Sequence, residues 1–133
     1  MSKENLYEKE LFQWTQALSK IGTWSVDVKN NELFWSEETY HIHELDKDTP
    51  VEISEAINYY HEEDRALVEA AVEKGIADAK PWDLVLRIVT AKNNKKTVRA
   101  SGRPIFDKSG ELDRMEGVFQ ELSLGVEEEL SLL

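Results

Sequence analysis

The sequence predicts an α+β domain: a five-stranded antiparallel sheet with helices covering one face, and a helix flanking each end. Three observations lead there. Beyond Pro81 the apolar pattern changes to period two in "WDLVLRIVT", "TVRASGRPIF" and "ELDRMEGVFQEL", with the polar turns "AKNNKK" and "DKSG" between them, which is a three-stranded meander. Before it, "HEEDRALVEAAVEKGIADA" has helical spacing, with Leu67, Val68, Ala71, Val72 and Ile76 on one stripe and acids on the other face. Nearer the N-terminus, "TWSVDV" and "LFW" around "KNNE" form a hairpin. An isolated two-stranded ribbon is barely stable, so this hairpin joins the meander in one sheet. The gap between sheet and helices is the natural place for a pocket.

Taken in chain order, "ENLYEKELFQWTQALSKIG" reads as a helix. Tyr7, Leu11, Trp14, Leu18 and Ile21 recur at steps of four and three as an a/d seam, Phe12 widens it, and Gly22 is the expected C-cap. Two heptads are short for an independent coiled coil, so the seam is expected to pack on a domain face within a homodimer. In the hairpin Trp24, Val26 and Val28 share one side. "SEETYHIHEL" then gives a short helix with Ser36 as N-cap and Glu37 and Glu38 in its first turn. "VEISEAINYY" holds another, with Ile53, Ile57 and Tyr60 or Asn58 inward. The long helix runs from about Glu63 to Ala79. The tail "SLGVEEELSLL" turns helical again from about Gly125, with Leu122, Val126, Leu130 and Leu133 on a rough stripe.

Composition narrows the function. With 133 residues the chain has room for one core. A net charge of −11, from 27 acidic and 16 basic residues, argues against nucleic acid and against anionic membrane surfaces, both of which require a basic face. There is no apolar run long enough for a membrane span and no signal-peptide pattern, and a cysteine-free chain suits the cytoplasm. Without cysteine there is no disulfide, thiolate nucleophile or Cys-based zinc site.

The pieces "GTWSVDV", "LFWSEETYHIHELD", "HEEDR", "RASGRPIFDKSGEL" and "GVFQELS" occur in the order and spacing of a PAS (Per-Arnt-Sim) domain of the bacterial sensor type, and the chain resembles that family from about Ile21 to Ser123. The family's closing signature is conservatively altered to Glu121, Leu122 and Ser123, and its usual Phe-Gly step after the hairpin is His43-Glu44 here. The implied organisation is a flanking helix over residues 1–21, the PAS domain over 22–123 and the start of a linker helix over 124–133. "HELDKDTP" also resembles the phosphoacceptor motif of histidine kinases. Its Thr-Pro comes two residues too late, and neither a long dimerisation helix nor an ATP-binding domain follows, so His43 is not read as a phosphorylation site.

The resemblance implies a non-catalytic signal-input and dimerisation module of a larger protein, a sensor histidine kinase or a cyclic-di-nucleotide enzyme, joined to a C-terminal effector. Flavin photochemistry of the light-oxygen-voltage kind needs a cysteine, and "GVFQELS" puts Phe119 where those proteins place a Gln. Haem is disfavoured because the long helix has no His, and three scattered His make no convergent metal site. A small organic ligand remains. Strand alternation puts Leu84, Leu86, Ile88, Val98, Ala100, Gly102, Met115, Gly117 and Phe119 on the helix side. Trp24, Trp35, Tyr40, Ile57, Tyr60, Leu67 and Val72 stand opposite. Small Ala100, Gly102 and Gly117 are adjacent and could leave room; some of the four bulky tryptophans could equally fill it. A ligand-free dimerising adaptor therefore stays open beside the ligand sensor. A small α+β enzyme is the third reading; its inner-face carboxylate would be Glu121, near the strand end and solvated.

Overall fold

A computed structural model describes residues 2–122. Helix α1 (Lys3–Ser19) leads into β1 (Ile21–Asp27) and β2 (Glu32–Trp35), then the short helices α2 (Glu37–Ile42) and α3 (Ile53–Ala56). A 3₁₀ turn (Ile57–Tyr59) leads into α4 (Glu62–Asp78), and the chain closes with β3 (Trp82–Val89), β4 (Lys95–Phe106) and β5 (Leu112–Leu122). All five strands pair antiparallel in the order β2-β1-β5-β4-β3, so the hairpin joins the meander through β1 and β5. The α+β class and the five-stranded sheet are as the sequence predicts.

Local chemistry departs from expectation at three places. Helix α1 stops at Lys20, which takes the left-handed conformation (φ 53°) while its N–H reaches the Gln16 and Ala17 carbonyls. Gly22 is therefore not the cap; it lies in β1, where a Cβ would stand 2.1 Å from Thr39 Oγ1 and 2.5 Å from Thr39 N. Glycine is needed there because α2 presses onto the β1 backbone. Ile21, the last seam residue, likewise opens β1 rather than ending the helix. Ser36 does begin α2, but its hydroxyl accepts from Thr23 N at 2.9 Å and makes no cap bond, tying helix to strand instead. Val28 lies just past β1 and is exposed.

The core lies between the sheet and α2 and α4, formed by Ile42, Val68, Leu86, Ile88, Val98, Ala100 and Phe119. At the entrance of α4, His61 Nδ1 accepts from Glu63 N, and the Asp64 carboxylate accepts from the Arg87 backbone N (2.9 Å), Nε (3.0 Å) and Nη2 (2.6 Å). The Arg87 guanidinium holds the Asp64 carboxyl below the usual carboxylate range. These bonds pin the first turn of α4 to β3. Leu122 ends β5; the expected tail helix and linker, 124–133, lie outside the described residues.

Candidate functional site

A cavity of about 430 Å³ opens between the sheet, α3 and α4. Its floor comes from alternate strand residues: Trp24 and Val26 of β1, Leu33 and Trp35 of β2, Leu84 and Leu86 of β3, Ala100 of β4, and Met115 and Phe119 of β5. Its roof is Ile53, Ala56, Ile57, Tyr60, Val68 and Val72, with Ser54, Glu69 and Glu73 exposed at the rim. The lining is overwhelmingly apolar, the composition typical of small-molecule pockets.

Ten of the fourteen residues expected at a pocket line it: Trp24, Trp35, Ile57, Tyr60, Val72, Leu84, Leu86, Ala100, Met115 and Phe119. Four do not. Leu67 is half exposed, because the register of α4 turns Val68 and Val72 inward. Val98 is fully buried in the packed core. Tyr40 packs edge-on against Trp35 and donates its hydroxyl to the Thr49 carbonyl, 3.0 Å away, beside a separate groove. Gly117 sits where a Cβ would lie 1.9 Å from the Ser101 carbonyl oxygen, so its smallness allows the strands to pack closely.

Gly102 leaves no room either. The rings of Trp24 and Trp82 meet above it, centroids 6.3 Å apart, and each would lie 2.6 Å from an added Cβ. The Trp24 indole N–H also donates to the Ser101 carbonyl at 3.3 Å. The indole pair thus occupies the space above Gly102, and both rings line the cavity beside it. Trp82 was missing from the expected set, although it shares the inward parity of Leu84, Leu86 and Ile88.

His43 is the main residue that sequence reasoning missed. It is 1% exposed, borders the cavity, stacks on Trp35 at 4.3 Å and meets Tyr59 and Phe119 edge-on at 5.3 and 5.2 Å. Its Nδ1 lies 2.8 Å from the Thr39 carbonyl oxygen. Burial pushes the imidazole down to about 4, with nearby Lys96 acting in the same direction, so the ring is neutral at pH 7. Burial pushes the Tyr60 phenol up.

The backbone around His43 is strapped to the sheet. Lys96 Nζ donates to the Ile42 carbonyl (2.9 Å), and Ala91 N donates to the His43 carbonyl (3.0 Å). Glu44 stands at φ 57° and accepts from Thr90 Oγ1 and Asn94 Nδ2. A left-handed non-glycine residue costs roughly 1–2 kcal/mol, which these carboxylate bonds offset.

The other residues considered for chemistry are occupied. Glu121 pairs with Lys96 at 3.1 Å, and its side chain is 22% exposed, less solvated than expected. His41 lies 3.6 Å from Glu38 on an exposed helix face. Among the described residues no group of three His, Cys, Asp or Glu is placed to hold a metal ion, and no helix is long and apolar enough to cross a membrane.

A family model described as PAS fold matches residues 32–119, and the chain belongs to that family. Domains of this family are generally regulatory. Among curated proteins, the chain is 26% identical over 102 residues to sensor protein FixL of Bradyrhizobium diazoefficiens, covering 77% of this chain and 20% of that protein. It is 25% identical over 107 residues to the probable diguanylate cyclase DgcE of Escherichia coli K12, covering 77% of this chain and 9% of that protein. The chain thus spans a small part of each. Among solved structures, a sensory box histidine kinase/response regulator from Burkholderia thailandensis superposes with a TM-score of 0.75 at 24% identity, over 91% of both chains.

Proposed function

We propose that the chain is the sensory and dimerisation module of a larger signal-transduction protein, a sensor histidine kinase or a cyclic-di-nucleotide enzyme, and that it works in the cytoplasm. It binds a small organic molecule between sheet and helices and carries no catalysis of its own. The apolar cavity of about 430 Å³ carries this reading, because it survives although Trp24, Trp35 and Trp82 all stand in its lining. The relatives support the signalling role: each is a far longer protein in which a segment of this kind occupies a fraction of the length. Ligand occupancy would shift a two-state equilibrium of the sheet and its flanking helices, read by an effector beyond the C-terminal end.

Native mass spectrometry of the freshly purified protein tests it. Extra mass that leaves on denaturation is expected. Bare chain mass, together with no stabilisation by any compound in a small-molecule screen, would overturn ligand sensing.

Helix α1 is the proposed dimer element. Tyr7, Leu11, Trp14 and Leu18 are 57–65% exposed, with Leu6 and Phe12 beside them, an apolar surface that an isolated chain leaves in water. Substituting Leu11 and Trp14 by Ala should convert dimer to monomer in light scattering; unchanged mass would remove α1 from the interface. A ligand-free dimerising adaptor is the second reading, favoured by the Trp24–Trp82 pair that already closes one end of the gap.

A further inference from the structure

The two ring nitrogens of His43 have different fates. Nδ1 faces the Thr39 carbonyl, and a carbonyl only accepts, so Nδ1 carries the proton and Nε2 holds a lone pair. Nε2 has no hydrogen-bond partner among the described residues, yet none of their fully buried side-chain nitrogens or oxygens lacks one. Nε2 therefore keeps a small opening, and the space its ring borders is the cavity. Trp35 and Tyr59, packed on the ring, carry an indole N–H and a phenol O–H, but among the described residues neither donates to Nε2. A partly buried acceptor that opens on the cavity gains when a ligand donates to it there.

The rest of the lining restricts what the donor belongs to. The stacked Trp35 and His43 rings form one aromatic pair, and the stacked Phe119 and Tyr60 rings form a second that meets His43 edge-on through Phe119. Among the described residues no Lys or Arg lines the cavity, while Glu69 and Glu73 stand at its mouth. An anion would meet two carboxylates and no counter-charge. Resting on the ligand-pocket reading above, we propose that His43 is the specificity residue of the pocket. It accepts a hydrogen bond at Nε2 from a flat aromatic ligand that bears an N–H or O–H donor and no negative charge.

Carbazole and dibenzofuran make the test, because they share one three-ring shape and only carbazole has an N–H. Equilibrium dialysis against the whole chain should show carbazole bound about tenfold more tightly, the factor one hydrogen bond to a buried acceptor supplies. His43→Phe should bring the two affinities together. That variant orphans nothing, since the Thr39 carbonyl still accepts the His43 backbone N–H at 3.2 Å. The wild-type comparison stands whether or not the variant folds. Equal affinities in the wild type would overturn the role of His43 while leaving the pocket intact. A preference that survives His43→Phe but disappears in Tyr60→Phe would overturn it in favour of the Tyr60 hydroxyl. Retention of neither compound would overturn the pocket reading and this inference with it.

Discussion

Replacing His43 by Phe should change the pH dependence of stability more than the stability at neutral pH. In the unfolded chain an imidazole titrates near 6.5; in the fold burial lowers it to about 4. Between those values the unfolded chain takes up a proton that the folded chain refuses, so stability falls as pH falls. The contribution of His43 is fully present above pH 6.5 and fully lost below pH 4. A shift of this size corresponds to about 3 kcal/mol, a large share of the roughly 5–15 kcal/mol typical of a domain. The charge facing the ring is Lys96 from β4, which opposes protonation, and burial pushes the neighbouring Tyr60 phenol up, away from this range. Urea unfolding followed by tryptophan fluorescence, at pH values from 7.5 to 4, measures both proteins. The carboxylates held low in the fold, such as Asp64 and Glu44, titrate in both and cancel in the difference. The wild type should lose about 3 kcal/mol more than His43→Phe across the window. Parallel profiles would refute the buried, neutral imidazole.

Four further substitutions probe how the fold is held. Gly22→Ala should destabilise by about 3 kcal/mol or more in urea unfolding, at or above the upper end for overpacking, because the new methyl meets the Thr39 backbone. Gly110→Ala, where φ is 88° and nothing lies within 4 Å, should cost only about 1–2 kcal/mol of backbone strain in the same assay. Gly102→Ala should separate Trp24 from Trp82 and reduce the near-UV circular dichroism of the pair, with a loss of about 1–3 kcal/mol. Asp64→Asn should cost about 1.5–3 kcal/mol in urea unfolding, because it weakens charge-assisted bonds from the Arg87 side chain.

Much of this architecture is legible in the sequence because it is written in local periods. The period-two runs after Pro81 set the meander and its inward face, and that parity places Leu84, Leu86, Ala100 and Phe119 correctly. The same parity reaches Trp82 and Val26, which needed only to be followed one step further along each strand. What stays hidden depends on distant partners. Ser36 carries an N-cap signal, yet Thr23 claims its hydroxyl from the neighbouring strand. Gly22 looks like a helix stop because nothing local reveals that Thr39 lies against it. The apolar stripe of α4 includes Leu67, but the helix sits on the sheet through Val68 and Val72. His43 is hidden by its polarity; the available signal was its place at a step where the family usually has Phe.

The most direct test of this account is nitrogen-15 NMR of the His43 imidazole in the intact chain at pH 5.5. The account predicts a neutral ring with its proton on Nδ1, and an Nε2 resonance that moves when carbazole is added. A doubly protonated ring at that pH, or an Nε2 signal indifferent to bound carbazole, would contradict it.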